Sequence, residues 1–239
     1  MRTFVIGDIH GGYLSLKQCL ERSSFNYEED TLISLGDICD GWPETKRCID
    51  ELLKIKNIQL VRGNHDNWAL DWMLTGQMPN IWTRQGGEAT LNSYGYSDEF
   101  VPASHKAFLN DAPRYRLIGG RVFVHGGFDP NQHAMSRQRD EVLMWDRDLI
   151  YSAHKKHQQK PDYKFAGFDE IYVGHTPVTA FRKKEPQHWC NLWAMDTGGG
   201  WEGTLTIMDI DTKQFWQSDL VADLYPGTDH AKQLRGGLV

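Results

Sequence analysis

The sequence predicts an α/β fold built on two β-sheets. Over residues 2–61, apolar strands alternate with segments of helical periodicity, a pattern typical of a parallel sheet with right-handed crossovers. The second half is instead rich in short strands and finishes in a hairpin. No internal repeat, linker or low-complexity segment interrupts the 239 residues. We therefore expect a single domain spanning 1–239.

The first three strands are short apolar runs that each end in glycine and polar residues. They are predicted at 2–6, 31–35 and 57–61. Between the first two, Leu16 and Leu20 lie four residues apart, which predicts an amphipathic helix. Pro43 is predicted to open the next helix, where its missing N–H is not needed. The apolar stripe of that helix is predicted to be Ile49, Leu52 and Leu53.

Residues 67–118 differ from the rest of the chain and are predicted to form a helical, cap-like insertion. They are dense in tryptophan and leucine, and Pro79 and Gly86-Gly87 divide them into short helices. A further helix is predicted from Pro102 to Asn110. Later in the chain, the polar stretch 154–164 is predicted to be an exposed loop. The later strands are predicted at 121–124, 170–173, 192–195, 204–210 and 215–217.

Composition excludes several classes of protein. Hydrophobic residues make up 40% of the chain and aromatic residues 12%, enough for a sizeable core and too many for a disordered chain. The net charge is −6 with no basic run, which argues against non-specific nucleic-acid binding. The four cysteines form no CxxC pair, so we expect them to be reduced and buried. No signal peptide or membrane-spanning run is present, so we expect no membrane partner and a cytoplasmic location.

Six predicted strand ends carry histidine, aspartate or asparagine beside glycine. Glycine lets the backbone turn sharply at such points, and divalent cations take imidazole and oxygen ligands. Six of these side chains together supply three imidazoles, two carboxylates and one amide, enough for two metals that share a carboxylate. Paired metals about 3.5–4 Å apart promote displacement at phosphorus. The candidate ligands are Asp8, His10, Asp37, Asn64, His125 and His175.

The motifs at these strand ends resemble those of the calcineurin-like metallophosphoesterases, and in particular the small bacterial and phage serine/threonine phosphatases of the PPP type. The resemblance runs from Phe4 to about Ile210 and includes the stretch Trp145-Asp146-Arg147. It implies an α/β/β/α sandwich and a dinuclear site. The motifs themselves are 7–11, 36–40, 63–66, 125–127 and 174–176.

The resemblance also implies a role for each residue. Asp8, His10 and Asp37 would hold one metal, and Asp37 would bridge to a second metal held by Asn64, His125 and His175. The metals would be two divalent ions: manganese, iron or zinc. His65 would be the general acid, oriented by Asp40, and Arg62 and Arg147 would bind phosphate oxygens. The implied activity is phosphomonoester hydrolysis by a metal-bound hydroxide, on a phosphorylated protein or a small phosphate ester.

One position departs from the family pattern. Gly41 stands where the family usually has a phosphate-binding arginine, and Arg84 or Arg137 could replace that cation. This leaves open a phosphodiesterase or a dinucleoside-polyphosphate hydrolase on the same scaffold. A metal-stabilised binding protein without turnover would require a broken ligand set, and none of the six ligands is missing.

The remaining polar residues receive structural interpretations. Asp66 is predicted to cap a helix that starts at Asn67. Asp196, in a glycine-rich turn, is expected to support the site and not to react. Six histidines have no partner pattern and are expected on the surface or in the core: His105, His133, His154, His157, His188 and His230.

Overall fold

Ten strands form two five-stranded sheets in the part of the chain that the computed structural model describes, residues 1–132 and 134–228. His133 and His230 lie outside these residues. The strands are β1 (Thr3–Ile6), β2 (Thr31–Ser34), β3 (Asn57–Leu60), β4 (Tyr115–Ile118), β5 (Arg121–Val124), β6 (Glu170–Val173), β7 (Gln187–Trp189), β8 (Leu192–Ala194), β9 (Thr206–Asp209) and β10 (Phe215–Gln217).

The helices lie between and after these strands. They are α1 (Tyr13–Arg22), α2 (Thr45–Leu52), α3 (Asn64–Thr75), α4 (Asn80–Trp82), α5 (Glu88–Ser93), α6 (Ala103–Asn110), α7 (Asp140–Trp145), α8 (Asp148–Gln159) and α9 (Val221–Leu224). A π-helical turn at Thr83–Gly87 joins α4 to α5, and 3₁₀ turns occur at Asp98–Phe100, Met135–Arg137 and Val178–Phe181.

The first sheet has the order β10-β9-β1-β2-β3, and the second has the order β4-β5-β6-β8-β7. In each sheet, three neighbouring strands run parallel to one another. They are β1, β2 and β3 in the first sheet, and β5, β6 and β8 in the second. The remaining strands pair antiparallel. The carboxyl ends of these six parallel strands are the six strand ends that carry polar residues beside glycine, and the topology gathers them at one edge of the sandwich.

Alternating side chains divide the core into layers. Phe4 and Ile6 of β1 pack in the cluster that contains α1 and α2, whereas Val5 between them packs in the cluster between the sheets. Phe123 of β5 also faces between the sheets, where its ring stacks on that of Tyr172 at 4.8 Å. Val122 and Val124 face α8 on the other side. These clusters confirm the predicted α/β/β/α arrangement.

Several predicted elements are corrected. The polar stretch 154–164 is not a loop through most of its length, because α8 continues to Gln159. Leu149 and Ala153 lie on the buried face of α8. The polar residues form the solvent-facing side of that helix and its C-terminal end. Leu53, predicted in the apolar stripe of α2, is the C-cap residue and is 39% exposed. The edge strands β4 and β7 are additional to the strands that were predicted.

Residues of the predicted helical insertion share the core of the first sheet. Trp72, Trp82 and Leu109 belong to the same apolar cluster as Leu16 and Ile49.

Among the described residues, no helix combines the length and the apolar character needed to cross a membrane.

Candidate active site

The six predicted metal ligands converge at the carboxyl edge of the two sheets. Asp8 and His10 follow β1, Asp37 follows β2 and Asn64 begins α3 directly after β3. His125 and His175 come from the second sheet, after β5 and β6. All six side chains are buried.

Asp37 lies at the centre of this group. Its Oδ2 atom is 3.2 Å from Nε2 of His125 and 3.7 Å from Nε2 of His10. The same Nε2 atom of His125 is 2.9 Å from Oδ1 of Asn64. The other ring nitrogens face the backbone, because Nδ1 of His10 contacts the Cys39 carbonyl at 3.2 Å and Nδ1 of His125 contacts that of Leu35 at 2.8 Å. The backbone therefore orients both Nε2 atoms toward Asp37.

The loops that carry these residues contain backbone conformations that residues other than glycine rarely adopt. His10, Asp37 and His175 have φ angles of 48°, 49° and 63°, in the left-handed region that is unfavourable for residues other than glycine. Gly63 allows a close approach of two loops, since a Cβ atom there would lie 2.0 Å from Oδ1 of Asp37. Such local strain is typical of functional sites.

Two groups of ligand atoms are close enough to hold a cation. Atoms of Asp37, His125 and His175 lie within 4.8 Å of one another, as do those of Asp37, His10 and His65. The second group differs from the predicted one, because His65 stands in it where Asp8 was predicted. Nδ1 of His65 is, however, engaged by Asp40 at 2.7 Å. Asp8 lies beside the group, and its Oδ2 accepts the backbone N–H of His175 at 2.9 Å.

The electrostatics of these residues fit divalent cations. Oδ1 of Asp8 and Nε2 of His175 are buried and have no hydrogen-bond partner among the described residues. Burial, Asp196 and Asp37 raise the pKa of Asp8, as expected for carboxylates gathered without a compensating charge. Burial lowers the pKa of His10 to about 4, which leaves its ring neutral and able to bind a metal.

His65 and Asp40 form a buried pair beside the ligand group. Nδ1 of His65 lies 2.7 Å from Oδ2 of Asp40, and the His65 side chain is 12% exposed while that of Asp40 is fully buried. Against the effect of burial, Asp37 and the hydrogen bond to Asp40 raise the pKa of His65. The pair thus favours a protonated imidazole whose Nδ1–H is held by the carboxylate.

A network that holds Asp40 was not predicted from the sequence. The indole Nε1–H of Trp82 donates to Oδ2 of Asp40 at 2.8 Å, and the Thr90 hydroxyl donates to Oδ1 at 2.7 Å. In return, the Asp40 N–H donates to Thr90 Oγ1 at 2.9 Å. The next residue, Gly41, donates its N–H to the Gly86 carbonyl at 3.1 Å. The segment 82–90 therefore fixes both oxygens of the carboxylate that orients His65.

The two predicted phosphate-binding arginines have different surroundings. Arg147 precedes α8, and its guanidinium donates to the His175 carbonyl at 3.0 Å and to Thr176 Oγ1 at 3.1 Å. Arg62 donates to the Asn110 carbonyl, and its Nε atom is buried without a partner among the described residues. Burial and the nearby Arg114 lower the pKa of Arg62. Arg147 is thus tethered beside a candidate ligand, whereas Arg62 is tethered to the end of α6.

The backbone at Gly41 accounts for the absence of a side chain there. Its φ angle is 82°, and a Cβ atom would lie 3.2 Å from Cβ of His10. Trp42 turns inward, stacks on Tyr225 at 5.2 Å and donates its Nε1–H to the Gly199 carbonyl at 2.8 Å. Arg84 and Arg137, the predicted replacements for the missing arginine, both have exposed side chains.

Asp66 has a different position from the predicted one. Helix α3 begins at Asn64 with Gly63 as its N-cap, so Asp66 is in the first turn and does not cap a helix from Asn67. Its carboxylate accepts the N–H groups of Gly63 at 3.1 Å, Ile38 at 2.8 Å and Cys39 at 3.1 Å. It therefore ties the loop after β2 to the loop after β3.

Asp196 follows β8 and is buried near Asp8. Its Oδ1 accepts the Gly198 N–H at 2.8 Å, and burial together with Asp37 raises its pKa to about 6.

His105, one of the histidines without a partner pattern, is also buried: its Nε2 lies 2.9 Å from Asp50 and its Nδ1 lies 2.7 Å from the Tyr94 hydroxyl. His105 therefore belongs to a structural network away from the ligand group.

Comparison with known proteins identifies the family. The family model described as calcineurin-like phosphoesterase matches residues 1–193. The chain belongs to this family. The predicted membership is thereby confirmed, and with it the general activity of a phosphoesterase.

Relatives within the calcineurin-like family carry more than one activity in their names. Serine/threonine-protein phosphatase 2 of Escherichia coli is 40% identical over 217 residues, which cover 87% of this chain and 92% of that protein. The asymmetrical bis(5'-nucleosyl)-tetraphosphatase PrpE of Anoxybacillus flavithermus is 25% identical over 224 residues, covering 85% and 88%. A protein serine/threonine phosphatase from Saccharomyces cerevisiae shares the fold with a TM-score of 0.61 at 15% identity, covering 97% and 83%. The relatives of this chain are thus named both as protein phosphatases and as dinucleoside tetraphosphatases.

Proposed function

We propose that this protein is a dinuclear-metal phosphomonoesterase of the serine/threonine phosphatase type. The observation that carries the proposal is the convergence of Asp37 with His10, His125 and His175 next to the His65–Asp40 pair. One metal would be held by Asp8, His10 and Asp37. The other would be held by Asp37, Asn64, His125 and His175. The chemistry of these donors suits manganese, iron or zinc alike.

Bound cations would lower the pKa of the attacking water and neutralise charge on the phosphoryl oxygens. The chain's own residues would perform the remaining tasks. Arg147, held beside His175 by two hydrogen bonds, would hold a phosphate oxygen, and guanidinium suits this because it is always charged. Arg62, whose Nε atom has no hydrogen-bond partner among the described residues, would be a second phosphate contact.

His65 would donate the proton that the leaving oxygen needs. Asp40 accepts the hydrogen bond from Nδ1, so the transferable proton is on Nε2. Because Trp82 and Thr90 fix the carboxylate of Asp40, the imidazole is held in one orientation throughout the reaction. A positioned general acid of this kind contributes about 10²- to 10⁴-fold to a rate.

The role of His65 is tested with two substrates in a His65→Asn variant. 4-Nitrophenyl phosphate has a leaving group that departs without protonation, whereas a phosphoserine peptide needs an acid. We expect kcat for the peptide to fall at least 100-fold, and kcat for the aryl ester to fall far less. Equal losses with both substrates would show that His65 does not act as the acid. Metal content of the variant, measured by elemental analysis, controls for damage to the ligands.

A second candidate function is hydrolysis of dinucleoside polyphosphates, favoured by the name of the Anoxybacillus flavithermus relative, which covers 85% of the chain. The exposed loop predicted at 154–164 would have left room for such a larger substrate, but that stretch is helical as far as Gln159. Parallel assays on a phosphoserine peptide, bis(4-nitrophenyl) phosphate and diadenosine tetraphosphate distinguish the two. We expect the highest kcat/KM with the phosphomonoester.

A further inference from the structure

Basic residues are concentrated on one part of the surface of this acidic chain. Residues 151–164 and 178–184 hold seven of the 26 lysines and arginines but only one of the 32 acidic residues, Asp162. Ring contacts join the two segments, because Phe181 lies 5.1 Å from Tyr151 and 4.8 Å from His154. The seven basic residues are Lys155, Lys156, Lys160, Lys164, Arg182, Lys183 and Lys184.

Three of these residues flank the contact between the two segments, and we name them the basic ridge: Lys155, Arg182 and Lys183. Lys155 follows Tyr151 by one turn of α8, and Arg182 directly follows Phe181. All three residues of the basic ridge are exposed. In the described ranges 1–132 and 134–228, no carboxylate lies within 4.0 Å of their charged groups. Their charges are therefore available to a ligand of opposite charge.

The basic ridge begins beside a residue of the candidate site. Arg147, Tyr151 and Lys155 are spaced four residues apart, which places them on one face of α8. Arg147 donates to the His175 carbonyl at 3.0 Å and, under the proposed function, binds a phosphate oxygen. At 1.5 Å per residue, Lys155 lies about 12 Å further along the helix axis. The ridge thus extends from the phosphate position along the outside of the protein.

The length and charge of this path fit an acidic polypeptide. An extended peptide advances about 3.3 Å per residue, so about 12 Å corresponds to roughly four residues. A carboxylate at that distance from a phosphoserine could reach Lys155 while the phosphate is on Arg147. Single-stranded nucleic acid fits less well, because it is bound by stacking on free aromatic faces. The ring of Phe181 already packs against three others, those of Tyr151, His154 and Trp189.

We propose that the basic ridge recruits phosphoprotein substrates that carry acidic residues about four positions from the phosphorylated residue. The inference rests on the proposed function and adds a preference among its substrates. The ridge contacts a part of the substrate that does not react, so it stabilises the bound substrate and the transition state equally. Binding of this kind lowers KM and leaves kcat unchanged.

The test compares phosphoserine peptides of equal length that differ in charge. Acidic peptides carry aspartate at the third to fifth positions from the phosphoserine, on its N-terminal or its C-terminal side, and neutral peptides carry asparagine there. For one of the two sides, the wild-type KM is expected to be about 3- to 10-fold lower with aspartate, as a few exposed ion pairs can contribute. The kcat values are expected to agree within about twofold, and added salt is expected to reduce the preference.

Charge reversal locates the preference on the protein. Lys155→Glu and Lys183→Glu are each expected to raise KM for the acidic peptide about 3-fold or more, and to leave KM for the neutral peptide within about twofold. Lys155→Arg is expected to keep the preference. Lys56→Glu is the matched control, because Lys56 is also exposed but precedes β3, at the edge of the sheet opposite the candidate site.

Three results would overturn the proposal. The first is equal KM values for acidic and neutral peptides on both sides of the phosphoserine in the wild-type protein. The second is an equal effect of Lys56→Glu and Lys155→Glu. The third is binding of a fluorescein-labelled oligothymidylate that depends on Lys155, without any peptide preference, which would assign the ridge to nucleic acid. Failure of the proposed function has a separate signature: the wild-type protein with manganese would turn over neither kind of peptide.

Discussion

Replacing Asp40 by asparagine removes a charge from the site and preserves its shape. In the wild-type protein, Oδ2 of Asp40 accepts from Trp82 and lies 2.7 Å from Nδ1 of His65, while Oδ1 accepts from Thr90. The asparagine amide can keep its oxygen toward Trp82 and His65 and place its NH₂ group toward Thr90. The Thr90 hydroxyl can then donate to Thr45, whose Oγ1 is 3.1 Å away. We therefore expect Asp40→Asn to fold.

The expected loss of activity follows from the weaker hydrogen bond to His65. A bond to a charged acceptor contributes about 1.5–3 kcal/mol and a bond to a neutral acceptor about 0.5–1.5 kcal/mol. The imidazolium of His65 is therefore less stable by roughly 1.4 kcal/mol, which corresponds to about a tenfold change in the fraction protonated. Asp40 raises the pKa of His65, so its loss lowers that pKa.

The assay is the pH profile of kcat/KM for a phosphoserine peptide. Since the general acid must be protonated, activity falls as pH rises through the pKa of His65, and in Asp40→Asn this fall is expected at lower pH. At pH values above the pKa of His65, the variant is expected to be about tenfold slower than the wild type. 4-Nitrophenyl phosphate, which needs no acid, serves as the control substrate. An unchanged alkaline limb, or equal losses with both substrates, would refute the reasoning.

Three further outcomes are expected. Trp82→Phe leaves the buried Asp40 one donor short and is expected to lower the free energy of unfolding by about 1.5–3 kcal/mol in urea titrations, with Trp216→Phe as a partly buried control. Against the effect of burial, hydrogen bonds from Lys54, Tyr27 and Lys17 lower the pKa of Glu51 to about 2. Glu51→Gln is therefore expected to cost about 1–2 kcal/mol at pH 7, since both lysines reach solvent. This cost should shrink as pH falls from 4.5 toward 2, and a pH-independent cost would contradict it. Because the pKa of Asp8 is raised without a cation, manganese binding measured by calorimetry in buffers of different ionisation enthalpy is expected to release protons and to strengthen with pH.

The strand-end residues could be predicted from sequence because each motif is local. An apolar run, a glycine and a polar side chain occur within a few residues, and parallel topology then brings the ends together. Asp37 and His125 are thus placed near each other although they lie far apart in the chain. The conformational demands are also local, as at Gly63, where the backbone of one loop contacts the side chain of another.

Interactions between distant segments could not be predicted in the same way. Trp82 and Thr90 reach Asp40 from 42 and 50 residues away, and no periodicity in the sequence marks them as partners. The contact between the rings of Trp68 and Trp145 has the same character, because Trp68 belongs to α3 and Trp145 to α7. The preference of acidic residues for helix starts predicts a cap at Asp66, yet the Asp66 carboxylate also accepts the Ile38 N–H from another loop. Tertiary contacts decide these roles.

Anomalous X-ray diffraction from crystals grown with manganese tests the central proposal most directly. If Asp37 bridges two cations, two anomalous peaks are expected about 3.5–4 Å apart, one on each side of its carboxylate. One peak is expected beside His10 and the other beside His125 and His175. The Asp37→Asn variant is expected to lose or weaken both peaks. A single peak, or two peaks that do not share Asp37, would contradict the dinuclear site.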